Sequence, residues 1–283
     1  MADIRLSRNA VGLVRARLGR LDIAVISDIE GHRYLTTRQI ARLHFHNKPT
    51  EMAALRATNR ALARLSGLKL ISPLERRIGG VRAGSGSYVW RLASLGFRVL
   101  HESERGDGQP LRRREVEPSL YFLEHTLAIA EVHVSLVEAD RAGYIRLTGL
   151  QLEPHCWRPY NSMGGSTLRL KPDMAATTES DDYEDHWFFE VDLGSEAPSR
   201  VLRKCQQYEQ YLHTGLEQRR IGVFPAVAWI VPDVARRGLL AARIGAEVGL
   251  TLGLHRVICP EDLDDLLQGR IESVNHGKAG GTP

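Results

Sequence analysis

The chain has 283 residues, 43% of them hydrophobic, and a formal net charge of +4. That length holds one large domain or two ordinary ones, and that apolar fraction excludes global disorder. Its three cysteines, Cys156, Cys205 and Cys259, are odd in number and far apart, which excludes a disulfide framework and a cysteine-based zinc site.

The net charge hides an asymmetry. Residues 1–115 hold 22 Lys/Arg and 10 Asp/Glu, a balance of +12; the remainder holds 16 and 24, a balance of −8. A basic N-terminal region points to a polyanionic partner, most simply double-stranded DNA. The opening "MADIRLSRNAV" lacks the apolar core of a signal peptide. No apolar run approaches the roughly 20 residues of a membrane span. The expectation is a cytoplasmic protein with reduced thiols and no membrane partner; the sequence leaves a homodimer open.

In chain order, three helices come first. Residues from about Val11 to Ile29 are periodic enough for one helix. "TTRQIARLHF" opens with Thr36 followed by Gln39 three residues on, a capping-box pattern. "PTEMAALRATNRALARLSGLKLI" has an N-cap at Thr50 and a C-terminal stop at Gly67. Leu55, Leu62 and Leu65 fall on one face of that helix, and Arg56, Asn59, Arg60 and Ala63 on another. Then "LKLISPLERR" and "YVWRLASLGFRVL" read as two strands joined by the Gly-rich tip "IGGVRAGSGS".

Three helices followed by a β-hairpin are the order of a winged helix-turn-helix, whose third helix enters the major groove while the hairpin touches the backbone. Arg56, Asn59, Arg60 and Arg64 are then the DNA-facing residues, and Arg76, Arg77 and Arg82 the phosphate contacts of the wing. Small winged domains also serve as protein-binding modules; the charge asymmetry favours DNA. The charged, apolar-poor stretch "HESERGDGQPLRRREVEPS" reads as a linker. The expected division is a DNA-binding domain over 1–105, a linker over 106–117, an α/β domain over 118–272 and a frayed tail over 273–283.

The second region opens with a helix whose stripe is Leu123, Leu127, Ala130, Val134 and Val137, with Glu131 beside it. Strand-like runs follow: "IRLTGLQLEP", "STLRLKPDMAAT", "HWFFEVDL", "AVAWIVP" and "HRVICPE". Helices intervene at about 197–215 and 235–249, with a short one at 261–268. A mixed α/β layer with helices on a central sheet is the expectation.

The third of these runs places Trp187, Phe189 and Val191 on one face and Phe188, Glu190 and Asp192 on the other. A third acid, Asp173, ends the preceding apolar run. Carboxylates this close repel unless a positive charge sits among them, and Mg²⁺ or Mn²⁺ is the natural choice, since hard cations take carboxylate oxygens. Asp173, Glu190 and Asp192 are the candidate ligands. The following helix has an apolar face, Val201, Cys205, Tyr208 and Leu212, and beside it a polar one, Arg200, Lys204, Gln207 and Tyr211. Lys204 is placed to meet a phosphate or a developing negative charge.

Pro172-Asp173, then Glu190, then a basic-polar helix resemble the PD-(D/E)XK nuclease superfamily, whose core runs helix, three strands, helix, strand. Glu131 matches the acid that many members carry on the first helix. The lysine expected two residues after Glu190 is replaced by Asp192; some members move that lysine to the next helix, where Lys204 stands. The resemblance implies a catalytic set of Asp173, Glu190, Asp192, Lys204 and Glu131. The whole chain, through "LEHTLAIAEVHVSL", "LKPDMA" and "FFEVDLGSE", resembles the replication-relaxation family of plasmid and integrative-element proteins. That resemblance implies a role in replication or DNA relaxation and a metal-dependent, relaxase-type nicking activity. The alternative is a non-catalytic replication accessory or transcriptional regulator on a degenerate nuclease scaffold.

Overall fold

The computed structural model describes residues 8–74, 88–101, 117–162, 164–180 and 183–271. The chain is mixed α/β and divides into two compact units, Met1–Val134 and Ser135–Pro283.

In the first unit the expected long N-terminal helix is two. α1 (Arg8–Arg15) and α2 (Arg20–His32) are separated at Gly19, whose backbone N–H donates to the Asp22 carboxylate at 3.0 Å and starts a new helix. The short strand β1 (Leu35–Thr36) leads into α3 (Thr37–His44). The capping box is present: Gln39 N–H donates to Thr36 Oγ1 at 3.1 Å, and Thr36 N–H donates to Gln39 Oε1 at 3.0 Å. Thr50 caps α4 (Glu51–Gly67) through a 3.1 Å bond from Ala53 N–H. The left-handed residue that closes α4 is Lys69, φ 60°, and not Gly67, the last residue of the helix.

β2 (Ile71–Pro73) and β3 (Val89–Leu92) complete a three-stranded antiparallel sheet in the order β1-β3-β2. The tip between β2 and β3, with Arg76, Arg77 and Arg82, lies outside the described residues. "SLGFRVLH", expected to continue the second strand, forms α5 (Ser94–His101). The core of the unit is Val25, Ile29, Leu35, Ile40, Leu62, Leu65 and their neighbours. Thr58 joins the buried face of α4, its hydroxyl donating to Ala54 O, while Leu55 is only half-buried.

Gly96 on α5 sits where a Cβ would lie 2.2 Å from the backbone oxygen of Leu70 and 2.6 Å from Leu92 Cδ1. Leu70 O is held by Ala93 N–H and cannot retreat. Gly96→Ala is therefore expected to cost about 1–3 kcal/mol through overpacking, whereas Gly67→Ala, with nothing within 4 Å, is expected to be neutral or slightly stabilising. Urea unfolding midpoints of the two variants check this.

α6 (Leu120–Arg141) crosses the division between the units. The linker expected at 106–117 lies almost wholly outside the described residues. The compact first unit extends to Val134 because the first half of α6 is bonded into it: Gln39 Nε2 donates to Leu127 O at 2.8 Å, and His32 Nε2 meets His133 Nδ1 at 2.8 Å. Contrary to the expectation of no run of membrane length, α6 is by length and composition apolar enough to cross a membrane, a test that a soluble core helix also passes.

The second unit is built on a five-stranded sheet in the order β10-β9-β8-β7-β4. β7 (Met174–Ser180) runs antiparallel to both its neighbours, β4 (Arg146–Leu152) and β8 (Tyr183–Val191). β9 (Ala226–Ile230) and β10 (His255–Ile258) continue parallel to β8. The run "STLRLKPDMAAT" splits in two: β6 (Thr167–Leu170) pairs with β5 (Arg158–Asn161) in a separate hairpin, and β7 begins only after Pro172-Asp173. A parallel pair needs a crossover, and α7 (Pro198–Leu212) and α8 (Leu216–Ile221) supply it between β8 and β9. α9 (Val234–Ala246), a turn at Pro260–Asp262 and α10 (Leu263–Leu267) complete the unit. β8 has a strand on each side and buries both faces, with Phe188 and Phe189 fully covered; this is why "HWFF" reads as a continuous apolar run. The three cysteines are free and buried.

Candidate functional site

The register of β7 and β8 creates the site. Met174 pairs with Phe189, and Asp173 N–H donates to Phe189 O at 3.2 Å. Asp173 and Glu190 are thereby set side by side at one end of the sheet. Alternation along β8 turns Glu190 to the same face as Phe188, whose ring lies 5.7 Å from that of Tyr208 on α7. α7 thus covers the acid. Lys204 and Tyr208, spaced i, i+4 on one helix face, take the two oxygens of Glu190. Lys204 Nζ bonds Oε2, and Tyr208 OH donates to Oε1 at 2.5 Å. The same ammonium lies 4.0 Å from Asp173 Oδ1, while Asp173 Oδ2 accepts from Val191 N–H at 2.8 Å.

Glu190 is 1% exposed and Asp173 7%; the Lys204 side chain retains 30%. Burial pushes Glu190 up to about 8, the charge of Asp173 adds to this, and Lys204 and Tyr208 act against it. Burial alone would lower Lys204, but the charges of Glu190 and Asp173 outweigh it and hold the ammonium above its ordinary range. Tyr208 is also driven well up, by burial first and then by Glu190, so it is a hydrogen-bond donor and not a phenolate. The firmly held charge of the cluster is the ammonium. Burial, and not an excess of negative charge, is what raises Glu190, because the Lys204 ammonium acts on it more strongly than the Asp173 carboxylate does.

The other expected members have partners of their own. Asp192 lies just beyond β8, and both its oxygens are taken: Arg236 Nε of α9 donates to Oδ2 at 2.6 Å and Gly194 N–H to Oδ1 at 3.0 Å. Arg236 also donates to Glu196 O at 2.6 Å, so Asp192 ties α9 to the turn before α7. Glu131 belongs to the first unit, where Arg42 and Gln39 of α3 bind its carboxylate. Tyr211, read from sequence as polar-facing, is buried and donates to Glu217 at 3.0 Å.

The partnership of Arg236 with Asp192 spans 44 residues of sequence, and no motif announced it. Tyr208, expected on the apolar face of this helix, also bonds Glu190; its spacing of one helical turn from Lys204 was the signal for it. A cleft of about 790 Å³ opens at the opposite end of β7 and β8, lined by Tyr144, Arg146, Glu179, Tyr183 and Asp185 among others; none of Asp173, Glu190, Asp192 or Lys204 lines it.

Among the described residues, no group of three or more His, Cys, Asp or Glu side chains is disposed to hold a metal ion. The trio of Asp173, Glu190 and Asp192 is therefore reduced to a pair. Asp173 and Glu190 still fit one hard divalent cation by donor chemistry, with Lys204 yielding its bond to Glu190.

On α4 of the first unit, Arg56, Asn59, Arg60 and Arg64 are all exposed, opposite the buried Ala54, Thr58, Leu62 and Leu65. Arg64 is also ion-paired with Asp22.

Comparison with curated proteins gives no match, and no solved structure matches either. The replication-relaxation family model matches residues 26–227, more than half of the chain and inclusive of Asp173, Glu190 and Lys204, and on that match the chain belongs to the replication-relaxation family.

Proposed function

We propose that this is a DNA-binding protein of a plasmid or integrative element, acting in replication or relaxation, whose second unit nicks one DNA strand with Mg²⁺ or Mn²⁺. Family membership supports the replication theme. The nicking rests on one observation above the others: an ammonium supplied from α7 meets both Asp173 and Glu190, although the residue two after Glu190 is an aspartate. The order of α6, β4, β7, β8, α7 and β9, with three antiparallel strands and a parallel fourth, supports a PD-(D/E)XK type of domain. For the first unit, the order α2, β1, α3, α4, β2, β3 with sheet order β1-β3-β2 supports a winged helix-turn-helix that presents Arg56, Asn59 and Arg60 to the duplex.

Asp173 and Glu190 would hold the cation, which when bound polarises a phosphodiester and lowers the pKa of a water. Lys204, released from Glu190, is placed to stabilise charge on the phosphate. Tyr208 keeps Glu190 oriented through Oε1. Asp192, bound to Arg236, shapes the turn that starts α7 and takes no part in the chemistry.

A second reading is favoured by the closure of Asp192 and the near-complete burial of Glu190: a DNA-binding accessory on a retired nuclease scaffold. Conversion of supercoiled plasmid to open circles in Mn²⁺ separates the two. The wild type should nick, and Glu190→Gln and Asp173→Asn should lose at least about 100-fold, as removal of a key electrostatic group does elsewhere, together with calorimetric Mn²⁺ binding. Folded wild type that neither binds Mn²⁺ nor nicks would establish the second reading.

A further inference from the structure

The hairpin of β5 and β6 stands outside the main sheet and has a charge of its own. From Pro154 to Pro172 there is no Asp or Glu, although the chain beyond residue 115 carries a balance of −8. Of the three Lys/Arg in that stretch, Arg158 is neutralised by the buried Glu217 at 2.5 Å. Arg169 and Lys171 are exposed, and among the described residues neither forms an ion pair. Both instead lie against the half-buried ring of Trp157, at 5.5 and 4.7 Å from its centroid. Stacking on the ring holds the two cations in place while leaving their charge unneutralised.

Their position bears on the site. Cys156 Sγ donates to Pro172 O at 3.0 Å, which ties together the two ends of the hairpin. Trp157 and Lys171 flank this tie, and Asp173 is the next residue along. β6 also packs against α7, whose first turns carry Arg203, exposed, and Lys204. Exposed positive charge thus borders the Asp173–Glu190 pair on two elements.

We propose that Trp157, Arg169 and Lys171 form a phosphate-binding shelf for the DNA strand that enters the Asp173–Glu190–Lys204 centre, contacting backbone phosphates beside the one to be cut. This rests on the reading of that centre as a DNA site. Contacts to backbone phosphates fix the position of the strand and carry no sequence information. It acts as a second contact, distinct from the exposed face of α4.

The test is fluorescence anisotropy of labelled duplex and single-stranded oligonucleotides with the full chain over a range of salt. R169Q/K171Q should lower the slope of log affinity against log salt by about 1.8 on duplex or about 1.4 on a single strand, for two lost phosphate contacts. Its thermal unfolding should match the wild type, as both side chains are exposed. DNA should also change the intrinsic fluorescence of the wild type but not of Trp157→Phe; Trp90, Trp187 and Trp229 are all buried. A slope unchanged on both probes in R169Q/K171Q, with R56Q/R60Q losing it, would overturn the shelf and leave the DNA-binding reading intact. A wild type that binds neither probe would overturn both.

Discussion

Lys204→Met is expected to lower stability by about 3 kcal/mol at pH 10 and to reduce nicking by about 100- to 1000-fold while leaving Mn²⁺ binding intact or tighter. The stability loss follows from stranding Glu190, fully covered, without its cation; breaking a buried pair from one side costs about 3–5 kcal/mol, and the partial exposure of Lys204 argues for the low end. The rate loss is that of a group placed to stabilise developing charge. Retained metal binding follows because the ammonium and the cation compete for Glu190.

The stability change also depends on pH. Glu190 in the fold is already raised to about 8 from an unfolded value near 4.5. Between these values the folded state binds more protons than the unfolded, so this group's contribution is complete below about 4.5 and is lost as pH rises through 8. Removing Lys204 removes the main charge opposing that rise, so the variant should be nearly as stable as the wild type at pH 5 and clearly weaker at pH 10, where the wild-type Glu190 is ionised. The double variant Lys204→Met/Glu190→Gln should recover most of the loss. Urea unfolding at the two pH values checks it; an equal loss at both would mean that the ammonium does not depend on Glu190's charge.

Acidification should unfold the first unit through His32. Its ring is buried against that of His133, centroids 5.0 Å apart, and burial followed by the neighbouring His133 pulls it down to about 3, with Asp28 acting in the opposite sense. The unfolded chain takes up this proton near pH 6.5 and the folded one near 3. Between those values the unfolded state binds more protons, so stability rises with pH. The contribution is whole above about 6.5 and falls by about 1.4 kcal/mol for each pH unit below it, toward a loss of order 4 kcal/mol at pH 3. His32→Leu should flatten that slope by about one proton, read as the pH dependence of the unfolding midpoint between pH 6.5 and 4. An unchanged slope would mean that the two rings accommodate a proton between them.

Much of the molecule was legible before folding was considered. The capping box at Thr36 and Gln39, the N-cap at Thr50 and the amphipathic face of α4 are local features, set by neighbours three or four residues away, and the structure has them where the spacing put them. The strand β8 was legible too, because β-branched and aromatic residues in a short run leave few other choices. Local reading failed where a single residue interrupts a continuous pattern. Gly19 and Asp22 start a new helix inside an apolar repeat. Ser94 and Gly96 let α5 follow β3 without a loop. Pro172-Asp173 divide what looked like one strand.

The acids show the same division on the scale of the site. Residue types and their order singled out Asp173, Glu190 and Lys204, because carboxylates beside an apolar strand and a lysine on the next helix are unusual in themselves. Which of the acids meet was a matter of register and of long-range partners. Pairing Met174 with Phe189 brings Asp173 beside Glu190, and one turn of α7 delivers Lys204 and Tyr208 to the two oxygens of one carboxylate. Asp192, two residues from Glu190, is taken instead by Arg236, and Glu131 by Arg42 and Gln39. An unpaired buried charge is too costly to leave alone, so each acid finds a cation. The sequence states which charges need partners; only the tertiary structure, by bringing distant residues within reach, decides which partner each one has.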